Sequence, residues 1–220
     1  MEETRLLLRE IEGTVQRLVA DAVEIPESRR ARLREIATWI SARAAAGELA
    51  PLIFICTHNS RRSHLSQLWA QAFAWKHGLD HVRCYSGGTE ATAFHPNAVN
   101  ALRTCGFDIT SEEASDNPIH EVRFTSGTEV LRVRSKTFDD PENPSSGFAA
   151  VLTCSDADEA CPIVPGAAAR FSLPYDDPKA SDGTPDAARV YLGRSLRIAA
   201  EMLYMLQESA SGGRRQEAGA

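Results

Sequence analysis

No stretch of this 220-residue chain approaches the roughly 18 consecutive apolar residues that would carry it across a bilayer, so no membrane partner is expected. The first residues, Met1-Glu2-Glu3-Thr4-Arg5, lack the basic-then-apolar order of a secretion signal. Nor is there a surplus of positive charge. Lys and Arg total 24 against 30 acids, a formal net charge of −6, which argues against bulk binding to nucleic acid or to an anionic membrane. Any anion such a chain holds must be held locally. Cysteine is scarce as well. Five is an odd number for a disulfide scaffold, and a chain of this length builds a core without staples. The expectation is reduced thiols in a cytoplasm, some for packing and some as reagents. The rest of the composition, 25% charged and 43% hydrophobic, is ordinary for a globular domain and excludes wholesale disorder or a fibrous chain.

The first fifty residues carry a helical period. Leu7, Leu8, Ile11, Val15, Leu18, Val19 and Ala22 recur at three-four spacing. Pro26 breaks the pattern, and Ser28 is a candidate cap for a second helix bearing Leu33, Ile36, Ala37, Ile40 and Ala44, which Gly47 ends. Residues 1–48 therefore read as a two-helix extension that either covers the main domain or makes a subunit contact, in which case the protein would be a homodimer. A main domain follows over 51–208. Leu52-Ile53-Phe54-Ile55 is a continuous apolar run, the pattern of a strand buried on both faces of a parallel sheet. A helix, a strand at 81–86, a helix over about 96–105, a strand at 148–153, a last strand near 169–175 and a long helix opened by Thr184-Pro185 complete an α/β pattern. Residues 115–147 interrupt it. There Val122 and Phe124, then Val130, Leu131 and Val133, flank Ser126-Gly127 as a β-hairpin would. The tail, 209–220, is rich in Gly, Arg and Ala and reads as disordered.

The chemistry concentrates where the first buried strand ends, at Cys56-Thr57-His58-Asn59-Ser60-Arg61-Arg62-Ser63. Successive main-chain N–H groups wrapped above a helix N-terminus form a nest for a tetrahedral oxyanion. An arginine at the end of such a loop supplies a planar fork for two oxygens, and a cysteine at its start sits under the same positive field, which favours the thiolate. Cys56 is then a nucleophile aimed at the centre of a bound oxyanion, Arg62 its clamp, Ser63 a donor to the sulfur and Asn59 a shaper of the loop. The bland alternative is a buried cysteine that precedes a turn.

This segment, with Tyr85-Ser86-Gly87-Gly88-Thr89-Glu90, resembles the low-molecular-weight protein tyrosine phosphatase superfamily, and within it the thioredoxin-coupled arsenate reductases. The resemblance spans about residues 51–207 without the insertion. It implies a small parallel sheet of about four strands flanked by helices, with an oxyanion loop formed by residues 57–63. It also implies that an Asp directly before Pro is the general acid. That is Asp177, in Tyr175-Asp176-Asp177-Pro178, rather than Asp140 of the insertion. Cys154 and Cys161, seven apart after a buried strand, match the resolving positions of the reductases. The acidic stretch Asp156 to Glu159 between them reads as exposed and mobile enough to bring the two thiols together. A zinc pair or two inert thiols are the alternatives, and the spacing fits zinc poorly. Cys84 and Cys105 are assigned to packing.

Three departures from the family pattern matter. His58 stands where the family usually has Gly, and would carry any positive φ at a steric cost. Arg61 adds positive charge beside the anion. Gln67 replaces a carboxylate used by some members for a cation, so no metal and no cofactor are expected. Lys179-Ala180 follows Pro178 where phosphotyrosine-specific members have aromatic residues, which favours a small inorganic substrate. The implied activity is reduction of arsenate by a Cys56–Cys154–Cys161 disulfide relay, with a thioredoxin-like reductant. Hydrolysis of phosphate monoesters, or anion sensing without turnover, are the alternatives.

Overall fold

The computed structural model describes residues 5–21, 24–111, 115–127, 129–160 and 163–217, and for residues 160 and 213–217 the backbone alone. Its centre is a four-stranded, wholly parallel sheet. Strand β1 (Ala50–Cys56) lies between β2 (Val82–Gly88) and β6 (Phe148–Leu152), with β7 (Ala167–Ser172) outside β6, in the order β2-β1-β6-β7. Every residue of β1 but Pro51 is buried, as are all five of β6, which is why these strands read as unbroken apolar runs. The chain leaves β1 for β2 on one side and later returns as β6 on the other. A crevice therefore opens beyond the carboxyl end of β1, where open α/β sheets bind ligands. Cys56 is the last residue of that strand.

Helix α3 (Arg62–Lys76) connects β1 to β2, and α4 (Pro96–Thr104) follows β2. A second, antiparallel sheet joins β3 (Asp108–Ser111), β4 (His120–Arg123) and β5 (Leu131–Val133), with Ile109 opposite Val122 and Val122 opposite Leu131. The expected hairpin is thus present in the insertion, with one more strand than expected on its far side.

The extension folds onto the domain. Its helices are α1 (Arg9–Ala20) and α2 (Glu27–Ala45). Ile11, Leu33, Ile36 and Ile40 are fully buried in the same core as Trp69, Tyr191, Ile198 and Met202, and each such side chain contributes about 1.5–3 kcal/mol by leaving water. Leu7 bridges Thr125, and the Leu8 amide donates to Phe124 O at 2.8 Å. Gly106, at φ 106°, permits the close approach of α1, since a Cβ there would lie 2.5 Å from the Ile11 nitrogen.

Four expectations are corrected. Ser28 does not cap α2; the helix begins at Glu27 with Pro26 at its N-cap and no side-chain cap bond. The last strand is shifted toward the N-terminus, to Ala167–Ser172, because it pairs with β6 from Phe148 to Leu152. Residues 209–217 are not a disordered tail: α6 (Ala187–Glu217) runs through them, and Ser209 is buried, its carbonyl accepting from Ser41 Oγ of α2 at 3.1 Å. The small residues there read as a loose tail in sequence because the helix they pack against lies 168 positions away. Finally, the acidic stretch after Cys154 is not a loose loop. It forms a helix, α5 (Ser155–Ala160), in which Asp158 accepts from Arg170 Nη2 and from Ser172 Oγ, both at 2.5 Å. Among the described residues, no helix is long and apolar enough to cross a membrane.

Candidate active site

The segment after β1 turns through residues 57–61 into the N-terminus of α3. The carbonyls of this turn face outward. Thr57 O accepts from the Glu90 amide at 3.0 Å and from Thr89 Oγ1 at 3.1 Å. His58 O accepts from Ser135 Oγ and Thr92 Oγ1, Ser60 O from the His95 amide, and Arg61 O from the Leu65 amide. The amides of residues 57–61 have no hydrogen-bond partner among the described residues. A run of unpaired N–H groups at the positive end of a fifteen-residue helix is an oxyanion nest.

The positive φ in this loop falls on Asn59, at 44°, and not on His58. Asparagine is one of the few non-glycine residues that enters this region readily, so the glycine-to-histidine departure carries no backbone strain. His58 instead lies at the rim, with Nε2 3.4 Å from Glu90. Asn59 is fully buried and organises the loop. Its Oδ1 accepts from the Lys136 amide at 2.8 Å, which orients its amide, and its Nδ2 donates to Ser63 Oγ at 2.9 Å. Ser63 Oγ lies 3.1 Å from Cys56 Sγ. With one lone pair of Ser63 taken by Asn59, its hydroxyl hydrogen is free to be donated to the Cys56 sulfur.

The chain passing next to this loop requires Gly88. A Cβ there would lie 2.2 Å from Glu90 O, 2.6 Å from Thr57 O and 2.7 Å from the Asn59 nitrogen. Gly88→Ala is expected to displace the nest. Phosphate affinity should fall at least about tenfold and stability by about 1–3 kcal/mol, read by calorimetric titration and thermal unfolding.

The Arg62 guanidinium is buried. Its Nη1 donates to Tyr175 O at 3.0 Å and its Nη2 to Asp177 Oδ2 at 2.7 Å. Asp177 caps the 3₁₀ turn Pro178–Ser181 by accepting the Lys179 amide at 3.0 Å. The structure thus brings the expected acid onto the expected clamp. Asp140, the alternative acid, is spent on its own turn: the Glu142 amide and Arg134 hold its carboxyl below the usual carboxylate range.

Arg61 does not serve the anion with its side chain. Its Nε donates to Tyr191 OH at 2.6 Å and its Nη2 to Asp182 Oδ2 at 2.7 Å. Its charge is therefore matched by Asp182 instead of adding to the nest. Burial works against ionising Asp182, but Tyr191 and Arg61 outweigh it and hold the carboxyl below its ordinary range. Asp182, Tyr191 and Lys136 are site-supporting residues that sequence reasoning missed. Asp182 stands before Gly183 and looks like turn chemistry, and nothing local marks it.

Cys154 follows β6, one strand from Cys56. Ile55 pairs with Leu152, and the Thr153 amide donates to Ile55 O at 2.7 Å. The Cys154 sulfur is fully buried, lies 3.5 Å from Thr57 Oγ1 and accepts the Ala157 amide at 3.3 Å. Neighbouring strands are about 5 Å apart, and Cys154 shares one buried cluster with Cys56, its sulfur against Thr57 at the start of the nest. Cys161 lies outside the described residues. Cys84 and Cys105 are buried, and burial pushes the Cys105 thiol up to about 11 and Cys84 higher still, which suits packing. Gln67 donates to Cys84 O at 3.2 Å. Beside the loop is a cavity of about 380 Å³ lined by His58, Ser60, Arg61, Thr92, Ala93, His95, Pro96, Asp116 and Lys179. Among the described residues, no Phe, Tyr or Trp lines it, and Cys56, Arg62 and Asp177 do not border it.

Comparison with known proteins points the same way. Residues 51–126 match the model of the low molecular weight phosphotyrosine protein phosphatase family. An arsenate reductase of Bacillus licheniformis is 32% identical over 143 residues, covering 65% of this chain and 84% of that protein. An arsenate reductase of Bacillus subtilis is 29% identical over the same shares. Among solved structures, a YwlE mutant from Bacillus subtilis aligns at 16% identity with a TM-score of 0.48, covering 72% of this chain and 97% of that one. The nest, its cysteine and its arginine thus stand in a chain that is 32% identical to a bacterial arsenate reductase over 84% of that protein, with a family model matching from the first strand onward: this chain belongs to the low-molecular-weight protein tyrosine phosphatase superfamily.

Proposed function

We propose that this protein reduces arsenate to arsenite through a three-cysteine relay. The observation that carries the proposal is the second thiol. Hydrolysis through a phosphocysteine needs one sulfur, yet Cys154 is buried in the same cluster as Cys56 with its Sγ against Thr57 Oγ1. The similarity to arsenate reductases over 84% of one relative supports the same reading.

Arsenate enters the nest and takes the Arg62 fork, displacing Asp177 from Nη2. The Cys56 thiolate attacks arsenic, and one oxygen leaves as water with a proton from Asp177, giving a Cys56–S–As(V) adduct. The Cys154 thiolate then attacks the Cys56 sulfur. The S–As bond breaks with its electron pair passing to arsenic, releasing As(III) as arsenite and forming a Cys56–Cys154 disulfide. Cys161 attacks Cys154, Cys56 leaves as thiolate, and an external dithiol of the thioredoxin type supplies two electrons to the 154–161 disulfide.

Helix α5 sets the cost of the last exchange. A six-residue helix is about 9 Å long, whereas the Cα atoms of a disulfide lie within about 7 Å, so an intact α5 holds the chain on either side of it apart and opposes the 154–161 closure. The Asp158 contacts to Arg170 and Ser172 oppose that. Asp158→Ala is expected to speed formation of the 154–161 disulfide several-fold, by about 1 kcal/mol of lost helix anchoring. Quench-flow alkylation followed by mass spectrometry reads this rate. An unchanged rate would mean that the helix does not limit the exchange.

The functional reading itself is tested by counting thiols. Reduced protein given one equivalent of arsenate and no reductant should lose two thiols and release one arsenite. Retention of all thiols, together with fast hydrolysis of phosphotyrosine, would favour the phosphatase reading. Phosphate binding with neither outcome would favour a sensor.

A further inference from the structure

The two-helix extension has no part in the chemistry above, yet α2 reaches the segment that sets both Arg62 and Asp177. The Arg29 guanidinium of α2 lies over the Tyr175 ring, 4.5 Å from its centroid. Its Nη2 donates to Leu173 O at 3.5 Å, and its Nε pairs with Glu201 of α6 at 2.8 Å. Glu201 is 1% exposed, so this is a buried anchor and not a surface pair. Tyr175 itself is buried, and its carbonyl is the acceptor of Arg62 Nη1; two residues on, Asp177 holds Nη2.

We infer that Arg29 is a positioning residue for the oxyanion site: by clamping Tyr175 between α2 and α6 it fixes the carbonyl that aims the Arg62 fork. The inference rests on the proposed function only in taking the Cys56 loop as the oxyanion site. Leu173 to Asp177 follow the edge strand β7; the Leu173 and Tyr175 amides tie this segment to Leu152 O and Thr153 O at 2.8 and 3.0 Å, and Arg29 holds the Tyr175 side chain from α2, so that ring and main chain are fixed together. A guanidinium that stacks on a ring, meets a main-chain carbonyl and pairs with a buried carboxylate at once removes the freedom of that ring. A small displacement of an anion clamp costs binding steeply.

The test compares Arg29→Met with Arg43→Met in the full-length chain. Arg43 is on the same helix, pairs with Glu48 and lies over Trp39, away from Tyr175. Inorganic phosphate is the probe, titrated by calorimetry, with arsenate kcat and KM measured alongside thermal unfolding. The dissociation constant of phosphate should rise about tenfold in Arg29→Met and stay at the wild-type value in Arg43→Met, with KM for arsenate rising more than kcat falls. Arg29→Lys, which keeps the pairing with Glu201 but loses the planar stack, should recover affinity only in part. If Arg29→Met does not fold, Arg29→Lys is read in its place, and at least a threefold loss is expected. Wild-type phosphate affinity in whichever folded Arg29 variant is read overturns the inference. Failure of the wild-type protein to bind phosphate would instead remove the oxyanion reading on which it stands.

Discussion

Cys154→Ser should leave phosphate bound as tightly as in the wild-type protein and reduce thioredoxin-supported arsenate turnover on the order of a thousandfold or more. The expectation follows from what the sulfur does and does not touch. The Cys154 Sγ meets Thr57 Oγ1 and the Ala157 amide, and no main-chain amide of the nest depends on its chemistry. Serine fits the space and accepts the same amide, so fold and anion affinity persist. Serine cannot give up two electrons, however, and the Cys56–arsenic adduct would have no internal thiol to resolve it. Steady-state assays with arsenite detection, run beside phosphate titration, separate the two effects. Retention of turnover would remove the relay.

Arg62→Lys should have the other large effect. Arg62 meets Tyr175 O with one nitrogen and Asp177 with the other, and the planar fork serves two acceptors at fixed spacing. Lysine keeps the charge but is a point donor on a flexible stem. Loss of one directed donor to the transition state costs about a hundred- to a thousandfold in kcat/KM. The same variant leaves Asp177 with its Lys179 amide alone. Phosphate affinity should fall in parallel, since the fork binds ground and transition states alike. A change confined to kcat would place the arginine's role in the chemical step only.

The parts of the molecule that were legible in sequence are those whose signal is local. Ile53 to Ile55 and Phe148 to Leu152 are buried on both faces, so their apolar runs announce central parallel strands. The anion loop was legible because strand, cysteine, arginine and helix follow one another within a dozen residues. What escaped depends on distant partners. Ser209 looks like the start of a loose tail until Ser41 is placed against it. Asp182 looks like a turn residue until Arg61 and Tyr191 converge on it. The stretch after Cys154 looked mobile because its acids suggest solvent, whereas Arg170 and Ser172 hold Asp158 in place. The family pattern changes at His58, but the turn places its left-handed residue one position later, at an asparagine already suited to it.

These contrasts also explain why the extension was readable as helices and not as a part of the site. Its amphipathic period predicts burial of Leu33, Ile36 and Ile40, and they are buried. Arg29 stands on the same stripe, four and seven positions before Leu33 and Ile36, but nothing in that period indicates that it would reach a tyrosine 146 positions further along the chain.

The most direct test of the relay is to trap its first disulfide. A Cys161→Ser variant, fully reduced and given one equivalent of arsenate without any reductant, should accumulate a Cys56–Cys154 disulfide and release one arsenite, both read by mass spectrometry of the alkylated, digested protein. Recovery of Cys56 and Cys154 as free alkylated thiols, with arsenate unchanged, would contradict the account.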